Sequence, residues 1–89
     1  MTPVPGHDGD FVRECTAGEW IELWEGGETS GILSWFRLAQ LCTVDAEGAR
    51  RWATLDDALA APRSHVMACA TVAQKVHNLN DQTEGDAGN

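Results

Sequence analysis

The chain has 89 residues, 43% of them hydrophobic, and carries 14 Asp and Glu against 6 Lys and Arg, for a net charge of −8. Such a balance repels phosphate backbones, anionic membranes and acidic substrates and attracts basic partners. No apolar run approaches the ~20 residues of a membrane span, and Cys15, Cys42 and Cys69 contain no CxxC pair, so neither a zinc spacing nor a closed disulfide framework is present and reduced core thiols are expected.

The acidity is local. Asp8, Asp10, Glu14, Glu19, Glu22, Glu25 and Glu28 face a single base, Arg13, in the first third of the chain, whereas residues 32–63 are balanced. The N-terminus lacks the basic start and apolar middle of a secretory signal, so a cytoplasmic location is expected. Residues 1–9, with two prolines and two glycines, read as a flexible lead-in. His7, Asp8 and Asp10 lie within or beside it, without a preformed metal geometry.

Residues 10–79 are expected to form one small domain. Phe11 to Thr16 mixes β-formers with charges, Ala17-Gly18 offers a tight turn, and Glu19 to Glu25 alternates Trp20, Glu22 and Trp24 against Ile21 and Leu23, which predicts a β-hairpin. Gly26 to Gly31 is the clearest breaker. From Ile32 to Val44 two readings compete. Ile32, Trp35, Phe36, Ala39 and Cys42 share a helical face, while a strand places Trp35 with Arg37 opposite Phe36 and Leu38. Asp45-Ala46-Glu47-Gly48 fits a type I turn closed by a left-handed glycine, with Ala49 to Ala53 as the returning strand. That turn favours the strand reading.

Thr54-Leu55-Asp56-Asp57 reads as an N-cap with an acid three residues on, opening a short helix through Ala61 that Pro62 ends. With Ser64 as a second N-cap, the spacing of Val66, Cys69, Ala70, Ala73 and Val76 predicts a longer helix over 65–79, with a buried strand at 65–72 as the alternative. Residues 80–89 read as a disordered acidic tail. The three cysteines are evenly spaced, but only Cys15 and Cys42 share a following threonine, so no repeat is inferred. The expected fold class is α+β: an antiparallel meander of three or four strands followed by a short and a longer helix.

The alternative is an N-terminal β-hairpin plus a helix-turn-helix bundle. Leu38 to Trp52, with Ala39 in the first helix and Arg50-Arg51-Trp52 ending the second, resembles the DNA-reading motif of small repressors and excisionases. The resemblance implies that Arg50 and Arg51 touch phosphate or guanine edges. The segment departs from that motif at Thr43, where the turn usually has glycine, and at Asp45 and Glu47, which put acid near the DNA.

Catalytic chemistry finds little support. His65 and Cys69 are one helical turn apart in a core-like segment, His77 is turned away from them, and Asp56-Asp57 complements a helix dipole. No catalytic residue, cofactor or metal is expected. The tryptophans with flanking charges carry the preferred reading, a non-enzymatic protein that binds a basic protein surface through Glu19, Trp20, Glu22, Trp24, Glu25, Glu28, Trp35 and Arg37. Size and charge suggest a phage- or plasmid-type inhibitor that occupies a nucleic-acid-binding surface. Direct nucleic-acid binding and membrane binding are not expected.

Overall fold

In the computed structural model, which describes residues 1–25 and 31–78, the chain opens with two short strands joined by two successive turns. β1 (Thr2–Pro3) pairs antiparallel with β2 (Phe11–Val12). Between them His7 N–H bonds to Val4 O and Asp10 N–H to His7 O, each at 3.1 Å, with Pro5-Gly6 and Asp8-Gly9 in the two bends. Val4 is buried against the core. The segment read as a flexible lead-in is therefore built into the fold, because its Pro-Gly and Asp-Gly pairs close hydrogen-bonded turns.

The turn expected at Ala17-Gly18 and the hairpin arm expected over Glu19 to Glu25 form a helix instead, α1 (Ala17–Glu25). The reason lies in four residues. Thr16 Oγ1 accepts the Glu19 N–H at 3.1 Å, and Glu19 Oε1 accepts the Thr16 N–H at 2.8 Å. This reciprocal capping box satisfies two otherwise orphaned donors and starts a helix where alternation of Trp20, Glu22 and Trp24 mimics a strand.

α2 (Ile32–Cys42) takes the helical reading of the disputed segment, and β3 is left with Thr43–Val44. β3 pairs antiparallel with β2, completing a three-stranded sheet in the order β1-β2-β3. The turn expected at Asp45–Gly48 is present: Gly48 N–H bonds to Asp45 O at 3.0 Å and Asp45 N–H to Ala49 O at 2.8 Å. Asp45 Oδ1 also accepts from Glu47 and Ala49 N–H, and Gly48 takes a φ of 89°, a conformation that costs glycine little. Val44 pairs with Arg50 across this turn. A hairpin thus occupies the place of the recognition helix, and the helix-turn-helix alternative is not formed.

α3 (Leu55–Ala60) is capped as expected, Thr54 Oγ1 accepting the Asp57 N–H at 3.2 Å. α4 (Arg63–Val76) begins directly after Pro62, whose carbonyl accepts from His65 and Val66 N–H. The chain is α+β, a strand meander followed by helices, as predicted, although the strands are shorter and α1 and α2 are additional. The breaker at 26–30 and the tail at 80–89 lie outside the described residues.

α2 is the central element and touches α1, α3 and α4, while α4 also covers β2. Leu38, Leu41 and Cys42 of α2 pack with Val66, Cys69 and Ala73 of α4, all at 1% exposure or less. Gln40 is buried on α2, and its Nε2 donates to Trp52 O at 3.1 Å and Ala53 O at 3.2 Å. One amide thereby serves a segment without secondary structure of its own and holds Trp52 in the core.

Replacing Thr54 by Ala removes the cap and is expected to cost about 1 kcal/mol. Gln40→Leu leaves the Trp52 carbonyl without its donor and should cost about 2 kcal/mol. Urea denaturation of both variants checks this, and equal midpoints for wild type and Gln40→Leu would show that the amide contributes nothing.

Candidate functional site

Turning residues 17–25 into a helix redistributes the residues expected to bind a partner. Glu19 points inward and is 9% exposed. Arg13 grips it with two bonds of 2.8 Å, Nη1 to Oε1 and Nη2 to Oε2, and Arg50 Nη2 reaches Oε2 at 2.5 Å. These contacts, led by Arg13 and joined by the Thr16 N–H and Arg50, hold the Glu19 carboxyl well below the ordinary carboxylate range against the opposing effect of burial. The same pairing raises Arg13 above its usual value. Glu19 is thus a buried tie between elements and is not part of an acidic surface, a correction to the expected site.

The outward face of α1 carries Ile21, Glu22, Trp24 and Glu25. Ile21 is 55% and Trp24 43% exposed, unusual for side chains of this size. Trp20, one turn before Trp24, is half-buried. Its ring meets Trp24 edge-on at 5.5 Å and stacks on His77 at 5.5 Å and 17°. Glu22 pairs with Arg37 of α2, which joins the two helices. Trp35 is half-buried against the core and Trp52 is buried, so the continuous strand face of Trp20, Glu22, Trp24, Trp35 and Arg37 does not exist. Glu28 lies outside the described residues.

Arg50 and Arg51, the residues of the DNA-reading alternative, belong to the hairpin's returning limb. Arg50 is bound to Glu19, and Arg51 Nε sits 3.5 Å from Asp10 Oδ1. Neither stands on a helix, and both have acidic partners.

Beyond these predicted residues, the fold gathers two polar clusters. In the first, buried Asp10 bonds through Oδ2 to His65 Nε2 at 2.5 Å, and the His7 ring lies over His65 at 4.2 Å with a 7° interplanar angle. His65 therefore turns to Asp10, away from the Cys69 of its own helix; Cys69 is fully buried and its thiol is pushed up to about 11, chiefly by burial.

In the second, Cys15, Cys42 and His77 meet although Cys15 and His77 are 62 residues apart. The sheet brings the cysteines together, because the Arg13 N–H bonds to Cys42 O at 3.0 Å and extends the β2–β3 ladder. His77 ends α4 as its C-cap. Its Nδ1–H donates to Ala73 O at 2.8 Å, which leaves Nε2 as an acceptor for the Cys15 N–H at 3.0 Å, with Cys15 Sγ at 3.2 Å. Burial pushes the Cys15 and Cys42 thiols up from the ordinary range, the direction opposite to that of an activated nucleophile. A groove of 570 Å³ opens beside them, lined in part by Glu14, Trp20 and Ile21.

No family model, curated protein or solved structure matches the chain. Among the described residues, no helix is long and apolar enough to cross a membrane.

The sequence reading missed the Cys15–Cys42–His77 cluster because its members come from the connection between β2 and α1, the last residue of α2 and the C-cap of α4. It also missed the helix start at Thr16, for which Thr16-Ala17-Gly18-Glu19 is a readable signal.

Glu19 should shape the acid limb of stability. A carboxyl held below its unfolded value of about 4.3 contributes stability that is fully present above that pH and is lost as pH falls toward the folded value. Glu19→Gln is expected to lower stability by about 2 kcal/mol at pH 7, where charged hydrogen bonds are lost. Its disadvantage to wild type should shrink from pH 5 to pH 2. Thermal melts across this range check it, and a constant difference would contradict the assignment.

Proposed function

We propose that the chain is a non-enzymatic binding protein that engages a basic surface of a macromolecular partner through the outer face of α1. The observation that carries this reading is the exposure of Ile21 and Trp24 on a nine-residue helix also bearing Glu22 and Glu25. Large apolar side chains cost free energy in water, and a tryptophan beside acids suits a partner surface with an apolar pocket rimmed by Lys and Arg.

The charge distribution supports the same reading. Four of the six bases, Arg13, Arg37, Arg50 and Arg51, are tied to acids of the chain itself. Glu14 and Glu25, at either end of α1, form no ion pair among the described residues. The negative field is therefore left toward solvent on this side, where it speeds encounter with a cation-rich partner. A nucleic-acid-binding protein is a partner of this chemistry, and the chain would act there as a small inhibitor of the phage or plasmid kind, covering the basic surface.

Tagged protein should retain a partner from source-cell extract, and added duplex DNA should compete with that capture. Ile21→Ser with Trp24→Ala is expected to weaken capture by at least about 2 kcal/mol, the scale of interface hot spots. Glu25→Lys should weaken it further as salt is lowered, while Glu47→Lys, in the turn after β3, leaves it unchanged. Capture indifferent to all α1 changes would remove this face as the site, and retention of DNA by the wild-type chain alone at low salt would overturn the basic-partner reading.

A further inference from the structure

We propose that Cys15, Cys42 and His77 form a zinc site, taking one Zn²⁺ through two thiolates and one imidazole. Their Sγ and Nε2 atoms all lie within 4.8 Å of one another. Zn–S bonds of about 2.3 Å and Zn–N bonds of about 2.0 Å set tetrahedral edges of about 3.8 Å between sulfurs and about 3.5 Å between sulfur and nitrogen. Cys15 Sγ and His77 Nε2 stand at 3.2 Å. Widening that pair by a few tenths of an ångström brings it to the tetrahedral edge length.

The histidine is already oriented as a ligand. Its Nδ1–H is committed to Ala73 O, so Nε2 carries the lone pair; that lone pair now accepts the Cys15 N–H at 3.0 Å, a bond the ion would replace, and Trp20 stacks on the ring. A backbone carbonyl on the distal nitrogen is the usual second partner of a metal-bound imidazole, fixing its tautomer and raising its basicity. Cys42 is fully buried while Cys15 and His77 border the groove, so a fourth position is left to water or an incoming donor on that side.

Charge and donor type select the ion. Zn²⁺ and two thiolates sum to zero, so the complex buries no net charge, and binding releases the two thiol protons to solvent. Two sulfurs and a nitrogen suit a borderline-soft cation and disfavour Mg²⁺ or Ca²⁺. The His7–Asp10–His65 cluster lacks this geometry. Its imidazoles are stacked nearly parallel, so their in-plane lone pairs do not converge, and Asp10 is already engaged by His65 and Arg51.

The test uses the full chain, metal-stripped and reduced with a non-thiol phosphine, titrated with Co²⁺ and then with Zn²⁺. The expected result is a near-ultraviolet thiolate-to-cobalt charge-transfer band that saturates at one equivalent and is bleached by Zn²⁺, with two protons released per Zn²⁺ when that ion is added alone. Cys15→Ser and His77→Ala should each abolish or strongly reduce the band, and His7→Ala should leave it intact. The wild-type band and proton count decide the matter even if a variant fails to fold. No band in the reduced wild-type chain, or a band lost in His7→Ala and kept in both Cys15→Ser and His77→Ala, would overturn the site.

Discussion

The Glu19 carboxylate ties together three parts of the chain. It closes the N-terminus of α1 through Thr16, receives both arms of the Arg13 fork from the strand extension, and takes Arg50 from the hairpin after β3. Arg13 in turn donates to Leu41 O at the end of α2. Both arginines keep contact with solvent while Glu19 is buried, so the pair's net contribution is moderate, but removing one partner leaves a charge without compensation. The orientation of α1 follows. With Glu19 and Leu23 held inward, Ile21 and Trp24 have nowhere to go but outward.

The same rotation sets Trp20 over His77, and this joins α1 to the end of α4. The Cys15–Cys42–His77 cluster therefore sits where the sheet extension, α2 and α4 converge, with α1 forming one wall of the adjacent groove. The exposed helix face and the sulfur cluster are neighbours through Trp20 and Ile21, yet they depend on different physics. The first rests on apolar area left in water amid negative charge. The second rests on three donor atoms held close together by backbone pairing and a helix cap.

Much of the outline was readable in local pattern. Asp45 to Gly48 carries its turn in its own residues, an aspartate that accepts two backbone N–H groups and a glycine at positive φ, and Thr54 with Asp57 carries its helix start likewise. The hairpin expected at 10–25 failed for an instructive reason: Trp20 and Trp24 are equally spaced for one strand face and for one helix turn, so alternation over so few residues does not discriminate. The Thr16–Glu19 capping box does, because it requires helical geometry. In the segment 32–44 the Asp45 turn does not decide the conformation, since a hairpin needs only the two residues of β3 before it, and the helical spacing of Ile32 to Cys42 prevails.

The lead-in shows where local pattern stops informing. Pro5-Gly6 and Asp8-Gly9 mark turns whether the segment is loose or packed, and the pairing of β1 with β2, the His7–His65 stack and the burial of Val4 distinguish the two. By itself the sequence determined the charge balance, the α+β class, the turn after β3 and the start of α3, because these depend on hydrogen bonds and dihedral preferences spanning a few residues; α4 starts at Arg63, behind Pro62 and ahead of the expected Ser64 cap. Only the tertiary structure decided that Glu19 is a buried tie, that Arg50 and Arg51 are occupied, and that Cys15 meets His77 across 62 residues. Those outcomes follow from the packing of distant elements, which no short stretch of the chain encodes.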